Sequence, residues 1–242
     1  MSRLFVKVGG AVAGASADAI LGLARENEVC VVHGAGPQIS VEMERAGIPV
    51  EFVAGLRVTT LAGLEVVRTS LEAVNAALCL AIGERAVPFF GNEVGFEAVR
   101  WAPELGFVGE ASPQHLTPVN RVLVAGKIPV VAPLAIDSDR PGFLLNVNAD
   151  DAAAAIAIGM QADKLLFLTD VEGFMIDGEV VDSLDVPAAQ KLIQGGTLDA
   201  TILPKLGAAI TAATWGLPAY IGRTEIPALP QQPGVLLRRI GP

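Results

Sequence analysis

Lys7 stands in the middle of an apolar run, FVKVGGA (5–11), and is followed at once by two glycines. Burying an ammonium beside valines and phenylalanine costs free energy unless a negative partner meets it. Two readings fit the stretch. In one, the lysine stem carries its charge out to water and Gly9-Gly10 form an ordinary tight turn. In the other, the glycines let a ligand approach the backbone while Lys7 projects over the strand end as a cationic clamp. A second glycine loop follows in VVHGAGPQI (31–39), where a strand runs through Gly34-Ala35-Gly36 into a helix starting near Pro37. Backbone amides in such a loop, with a helix N-terminus behind them, favour an anion. The loop is not a dinucleotide fingerprint, because Ile39 occupies the place of the third glycine. Nor does VAGKIP (124–129) make a nucleoside-triphosphate loop, since it lacks the earlier glycine and the Ser/Thr. His33, just ahead of the loop, fits a packed core position as well as a ligand.

Four further stretches put polar residues where chemistry could happen. In GLRVTT (55–60), Arg57 precedes Thr59 and Thr60, which can cap a long helix. Arg57 is either a solvated surface residue or a two-pronged grip on a carboxylate. LLNVNADDAAAAIAI (144–158) sets Asn146, Asn148, Asp150 and Asp151 ahead of an alanine-rich helix. Capping accounts for one or two of these polar residues, not for four after an apolar run. On an extended segment Asn146 and Asn148 point the same way, which leaves Asp150 to open the helix. LLFLTDVEGF (165–174) is a buried strand ending in Thr169-Asp170, with a glycine turn at Gly173. Finally, TLDATILPKLGAAI (197–210) carries Lys205 into the first turn of a helix. The helix dipole disfavours a cation there, so a negative ligand nearby is expected.

The elements that must position these residues alternate regularly. Strands are predicted at 3–8, 28–33, 128–135, 164–169, 218–221 and 234–239. Helical patterns lie near 16–26, 37–46, 60–86, 113–126, 149–162, 187–194 and 203–216. Continuous Val/Ile/Leu strands separated by helices predict an α/β fold: a central, mainly parallel sheet covered on both faces. The segment 87–110 breaks the rhythm and reads as hairpins beside that sheet. The loop-like DSDRPG (137–142) suggests two lobes divided between it and Asp163. In open parallel sheets ligands bind at the carboxyl ends of the strands. The motifs above all fall at such ends.

Composition narrows the function. The 242 residues are 52% hydrophobic and suffice for one large α/β domain or two lobes. With 17 Lys+Arg against 26 Asp+Glu, the net charge of −9 argues against a nucleic-acid footprint while leaving room for a local phosphate pocket. The longest apolar runs are too short to cross a bilayer, and no leader pattern precedes the first strand. Cys30 and Cys79 have no metal-ligand spacing and read as reduced thiols of a cytoplasmic protein.

Taken in order, KVGGA, HGAGPQI, GLRVT, NVNAD, LTDVEG and PKLGAA make residues 3–216 resemble the amino-acid kinase family. GLRVT together with NVNAD resembles most closely the branch that acts on N-acetyl-L-glutamate. The resemblance implies an open αβα sandwich, with an acceptor lobe over 1–161 and an ATP lobe over 162–242. It implies that Lys7 and Lys205 flank the transferred phosphoryl group and that Asp150 orients them. Gly9 and Gly10 would line the phosphoryl path. Gly34, Ala35 and Gly36 would offer amides to the acceptor, and Arg57 and Asn146 would hold it, with Asn148 nearby. Thr169, Asp170, Gly173, Thr197, Leu198 and Asp199 would face the nucleotide. The implied cofactor is ATP with Mg²⁺ carried by the nucleotide, and no protein metal site is expected. A homodimer through the long helix near 60–86 is implied as well. Two departures stand out: Ala35 replaces the middle of three glycines, and Ala200-Thr201-Ile202 replaces the usual Gly-Gly-Met. Alternatives are a kinase of the same family acting on another acid such as aminoadipate, a ligand sensor on the same fold, and a nicotinamide-dependent dehydrogenase. The last lacks a complete glycine fingerprint.

Overall fold

The computed structural model describes residues 1–10, 13–169, 175–176, 179–181, 183–196, 198, 202–223 and 235–238. The first part of the chain supplies strands β1 (Ser2–Val8), β2 (Asn27–His33), β3 (Phe52–Val53), β4 (Leu56–Arg57) and β5 (Ala86–Phe90). Helices α1 (Ala17–Leu23), α2 (Gly36–Arg45) and α3 (Leu61–Ile82) lie between them. The middle contains β6 (Glu97–Arg100), β7 (Val108–Glu110), α4 (Thr117–Val124), β8 (Ile128–Ala132), β9 (Leu134–Asp137), β10 (Leu144–Val147) and α5 (Ala149–Gly159). After it come β11 (Lys164–Thr169), β12 (Met175–Ile176), β13 (Glu179–Val180), β14 (Ser183–Asp185), α6 (Val186–Gln194), α7 (Leu203–Thr214), β15 (Ala219–Arg223) and β16 (Val235–Arg238).

Eight strands form the main sheet in the order β14-β16-β15-β11-β1-β2-β8-β5. The six from β15 to β5 run parallel, while β16 is antiparallel to β15 and carries β14 alongside it. The chain winds outward from β1 through β2 on one side, then returns to β1 on the other with β11. Between β1 and β11 the winding reverses, which opens a crevice beyond their carboxyl ends.

The pleat of β1 assigns its residues to two cores. Leu4, Val6 and Val8 face the layer of α1, α2 and α3. Phe5 faces the opposite layer, built from α4, α5 and α7. Lys7, two residues on, therefore points toward α5 and α7 as well. Both helices bury alanines: Ala152–Ala157 apart from Ile156 on α5, and Ala208, Ala209, Ala212 and Ala213 on α7. Such small side chains allow close helix approach, so the first turns of α5 and α7 come together at the end of β1.

A second sheet, β10-β7-β6-β9, closes on itself. It corrects two expectations. The run 128–135 is not one strand: Pro133 interrupts it, so β8 belongs to the main sheet and β9 to the small closed one. Proline has no amide to donate to a ladder, and the chain changes sheets there. Likewise 87–110 is not wholly beside the main sheet, because β5 is that sheet's edge strand and pairs with β8. Its Pro88 is compatible with an edge. The expected strand 234–239 and helix 60–86 are present with trimmed ends, at 235–238 and 61–82.

The last residue of α5, Gly159, lets the segment before α4 cross the helix. A Cβ there would run into the Gln114 backbone. Gln114 in turn bonds both the backbone N–H and the carbonyl of Glu97 through its side-chain amide, so the crossing anchors β6. Gly159→Ala is expected to destabilise the fold by about 1–3 kcal/mol through overpacking. Differential scanning calorimetry should read this as roughly 2–4 °C of Tm per kcal/mol. An unchanged Tm would mean the crossing segment can move aside.

Candidate active site

Lys7, near the end of β1, is 7% exposed and forms an ion pair with Asp150, its Nζ 2.8 Å from Oδ1. Lys205, in the first turn of α7, brings its Nζ to 3.5 Å from the same oxygen and 5.9 Å from the Phe167 ring centroid. Two ammonium groups thus meet one carboxylate. Burial alone would raise the Asp150 pKa, but the charges of and hydrogen bonds from Lys7 and Lys205 outweigh it and hold the carboxyl below its ordinary value. The neighbouring Asp151 is driven the other way, up to about 7, by burial and then by the charges of Asp150 and Glu110. Asp150 remains ionised because the lysines are there.

Local sequence explains how α5 presents Asp150. Asn148 caps the helix, its Oδ1 accepting from the backbone N–H of Asp150 (2.8 Å) and of Asp151 (3.3 Å). This one asparagine therefore has a structural task that the alternation of Asn146 and Asn148 did not reveal. Asn146 lies on β10 and donates through Nδ2 to Thr59 Oγ1 at 3.1 Å. The Thr59 hydroxyl donates onward to the Arg57 carbonyl. Thr60 caps α3, accepting from the Gly63 N–H, whereas Thr59 is buried and ties the 57–59 segment to β10.

The two glycine loops touch. Gly34 N–H donates to the Val8 carbonyl, and Gln38 Nε2 donates to the Gly10 carbonyl at 2.9 Å. A Cβ on Gly10 would stand 2.9 Å from Ala35 Cα and 2.6 Å from Gln38 Oε1, so only glycine allows this approach. Behind the second loop, α2 starts without a side-chain cap and with Pro37 in its first turn. Its first amides are thereby left to whatever enters the crevice. Arg57 is buried rather than solvated. Its guanidinium donates to the Gly36 carbonyl (3.0 Å), Ser40 Oγ (2.8 Å) and Met43 Sδ (3.6 Å), and lies 4.6 Å from the Phe52 ring centroid. Burial lowers its pKa from the ordinary guanidinium value.

These residues line one cleft of about 450 Å³. Lys7, Gly9, Gly10, Gly34, Ala35, Gly36, Arg57, Asn146, Asn148, Asp150 and Lys205 all border it. Three of these side chains are cationic and Asp150 is the one acid among the described lining residues. In a chain of net charge −9, that concentration of positive charge favours an anionic ligand.

Of the residues expected to face a nucleotide, Thr169 and Leu198 are among those described. Thr169 ends β11 beside β1, and Leu198 packs against the core on the α5–α7 side; neither borders the cleft. Asp170, Gly173, Thr197 and Asp199 lie outside the described residues, as do Ala200 and Thr201. The sequence reading missed Phe52 and Pro133 as lining residues and Thr59 as the link to Asn146. GLRVTT contained the signal for Thr59, whose hydroxyl stood beside a candidate ligand residue.

Comparison with known proteins shows the family. The chain is 38% identical over 227 residues to an acetylglutamate kinase from Rubrobacter xylanophilus, covering 91% of this chain and 88% of that one. It is 37% identical to an acetylglutamate kinase from Syntrophomonas wolfei, covering 81% of this chain and 70% of the relative. Among solved structures, N-acetylglutamate synthase from Neisseria gonorrhoeae superposes with a TM-score of 0.82 at 21% identity, over 99% of this chain and 62% of that one. That likeness is one of fold. Residues 2–223 match the amino acid kinase family, and the chain belongs to it.

Proposed function

We propose that this protein transfers the γ-phosphoryl group of ATP to the side-chain carboxylate of N-acetyl-L-glutamate, forming N-acetyl-L-glutamyl 5-phosphate and ADP. The observation that carries the reading is the Lys7–Asp150–Lys205 cluster at the mouth of the glycine loops, in a chain 38% identical to an acetylglutamate kinase over most of both lengths. On this reading the step belongs to arginine biosynthesis.

A carboxylate is already ionised at neutral pH, so the nucleophilic oxygen needs no general base. The obstacle is the approach of two anions, and phosphoryl transfer is catalysed mainly by positioning and charge stabilisation. Lys7 and Lys205 supply that charge, and Asp150 keeps both ammonium groups in place. Gly9 and Gly10 give the phosphoryl group a path free of side chains. The amides of the 34–36 loop and α2 orient the acceptor, with Arg57 and Asn146 gripping its polar groups. Bound Mg²⁺ neutralises phosphate charge on the nucleotide. In the same proposal, residues 162–242, with Thr169, Leu198 and the 170–173 and 197–199 segments, hold ATP, while 1–161 hold the acceptor. Among the described residues no helix is long and apolar enough to cross a membrane. A homodimer would use α3, which exposes Leu61 and Leu80.

Hydroxylamine trapping with ATP, Mg²⁺ and N-acetyl-L-glutamate tests the reaction, since an acyl phosphate yields a hydroxamate. Comparable turnover of free glutamate, aspartate or aminoadipate would overturn the acceptor assignment. Arg57→Lys tests the grip. Lysine keeps the charge but not the planar fork that reaches Gly36, Ser40 and a ligand together. Charge-assisted hydrogen bonds contribute ~1.5–3 kcal/mol, so KM for the acceptor should rise about ten- to a hundredfold, with kcat and the KM for ATP little changed. A change confined to ATP would remove Arg57 from the acceptor site.

A further inference from the structure

His33 ends β2 immediately before the 34–36 loop and is fully buried. No step described above uses it. Its surroundings determine which ring nitrogen carries the proton. Asn75, buried on α3, places Nδ2 3.0 Å from the Val130 carbonyl, 3.4 Å from the Phe89 carbonyl and 3.0 Å from His33 Nε2. A carbonyl oxygen only accepts, so the Asn75 atom facing Val130 must be the amide nitrogen. The amide nitrogen cannot accept a hydrogen bond, so His33 Nε2, facing it at 3.0 Å, must be the unprotonated one. It receives the closer hydrogen in preference to the Phe89 carbonyl at 3.4 Å. Cys79 completes the arrangement, its thiol facing Asn75 Oδ1 at 3.5 Å. The ring proton then sits on Nδ1, 3.4 Å from the Gly34 carbonyl.

Gly10 comes close to the Gly34 carbonyl, since a Cβ on Gly10 would lie 3.1 Å from it. Gly34 N–H is already committed to Val8. Because the peptide unit is planar, the direction of the Gly34 carbonyl also sets the direction of the Ala35 N–H.

We propose that His33 is a positioning residue for the acceptor: with its proton on Nδ1 by virtue of Asn75, it holds the Gly34 carbonyl and thereby aims the Ala35 amide into the cleft. The inference rests on the acceptor reading of this loop given above. Burial supports it, pushing His33 down to about 4 so that the ring is neutral at working pH. A neutral ring is required, because imidazolium could not accept from Asn75. The arrangement also joins α3 to the glycine loop through one side chain.

Two measurements test it. In protein labelled with ¹⁵N-histidine, two-bond ¹H–¹⁵N spectra at pH 7 should show one neutral ring of the Nδ1–H tautomer, absent from the His33→Asn spectrum and so assigned to His33. An Nε2–H tautomer, or an imidazolium pattern, overturns the proposal without any need for activity. In steady-state kinetics His33→Leu should raise the acceptor KM about tenfold while the KM for ATP stays within twofold. His33→Asn, whose side-chain amide can return a donor near the Nδ1 position, should recover most of that loss. Equal rises in both KM values, or an asparagine variant no better than leucine, also overturn it. Should the wild-type chain yield no hydroxamate from N-acetyl-L-glutamate, the acceptor assignment fails, and the tautomer in the same sample still reports separately on the ring. Should the leucine variant not fold, the wild-type tautomer remains decisive.

Discussion

Lys7→Ala is expected to lower kcat by two orders of magnitude or more while leaving both KM values within a few-fold. The ammonium reaches the cleft from a buried strand position and is held by Asp150 at 2.8 Å. It therefore needs no reorganisation when charge builds up on a phosphoryl group. Removing one such preorganised donor typically costs about 10²–10³ in kcat. Lys205→Ala should have a similar effect, because its ammonium shares the same carboxylate oxygen. Lys7→Met keeps much of the stem and removes only the charge, which separates electrostatics from packing. The check is steady-state kinetics on each variant, with circular dichroism confirming the fold. If Lys7→Met kept kcat within threefold of wild type, Lys7 would be a structural residue whose role is to pair Asp150.

Asp150→Asn should damage both activity and stability. An amide can still accept a hydrogen bond, but it leaves two nearby ammonium groups without their counter-charge. Breaking a buried ion pair by removing one partner costs ~3–5 kcal/mol. For a chain of this length that corresponds to roughly 2–4 °C of Tm per kcal/mol. The lysines should also separate, so kcat should fall about a hundredfold even at temperatures where the variant is fully folded. The pH dependence has a definite sign. The folded-state pKa of Asp150 lies below its unfolded value, so the contribution is complete above the unfolded pKa and is lost as pH falls through the folded one. Wild type minus variant stability, measured by urea titration, should therefore shrink as pH falls through the acid range. Near pH 7 it drifts separately, because Asp151, pushed up to about 7 by burial and then by the Asp150 charge, titrates lower in the variant. A difference that grew in acid would mean that burial, rather than the lysines, governs this carboxyl.

Much of the site was legible because its parts are local. A lysine inside an apolar run, paired glycines at a strand end, Asn148 before an alanine-rich helix and Pro37 opening α2 are all short-range signals. Each reflects backbone sterics, capping or desolvation within a few residues. The parallel α/β class followed from the same source, since continuous apolar strands alternating with helices can bury both faces in few other ways. Pro133 was present in the sequence too, but a proline alone does not say that the strand after it joins another sheet. That depended on β10 and β6 being available as partners for β9.

What only the tertiary structure decided is which distant residues meet. Lys7, Asp150 and Lys205 converge because β1 sits where the winding reverses and because alanine faces let α5 and α7 pack closely on its Phe5 side. Arg57 is buried because α2 offers it Gly36 and Ser40, partners that nothing in GLRVTT names. The proton on His33 is placed by Asn75, a residue that in sequence reads as one polar position on a long helix. Local patterning encodes period, caps and burial. The pairing of groups far apart in the chain depends on strand order and helix approach, which emerge only when the whole core is packed.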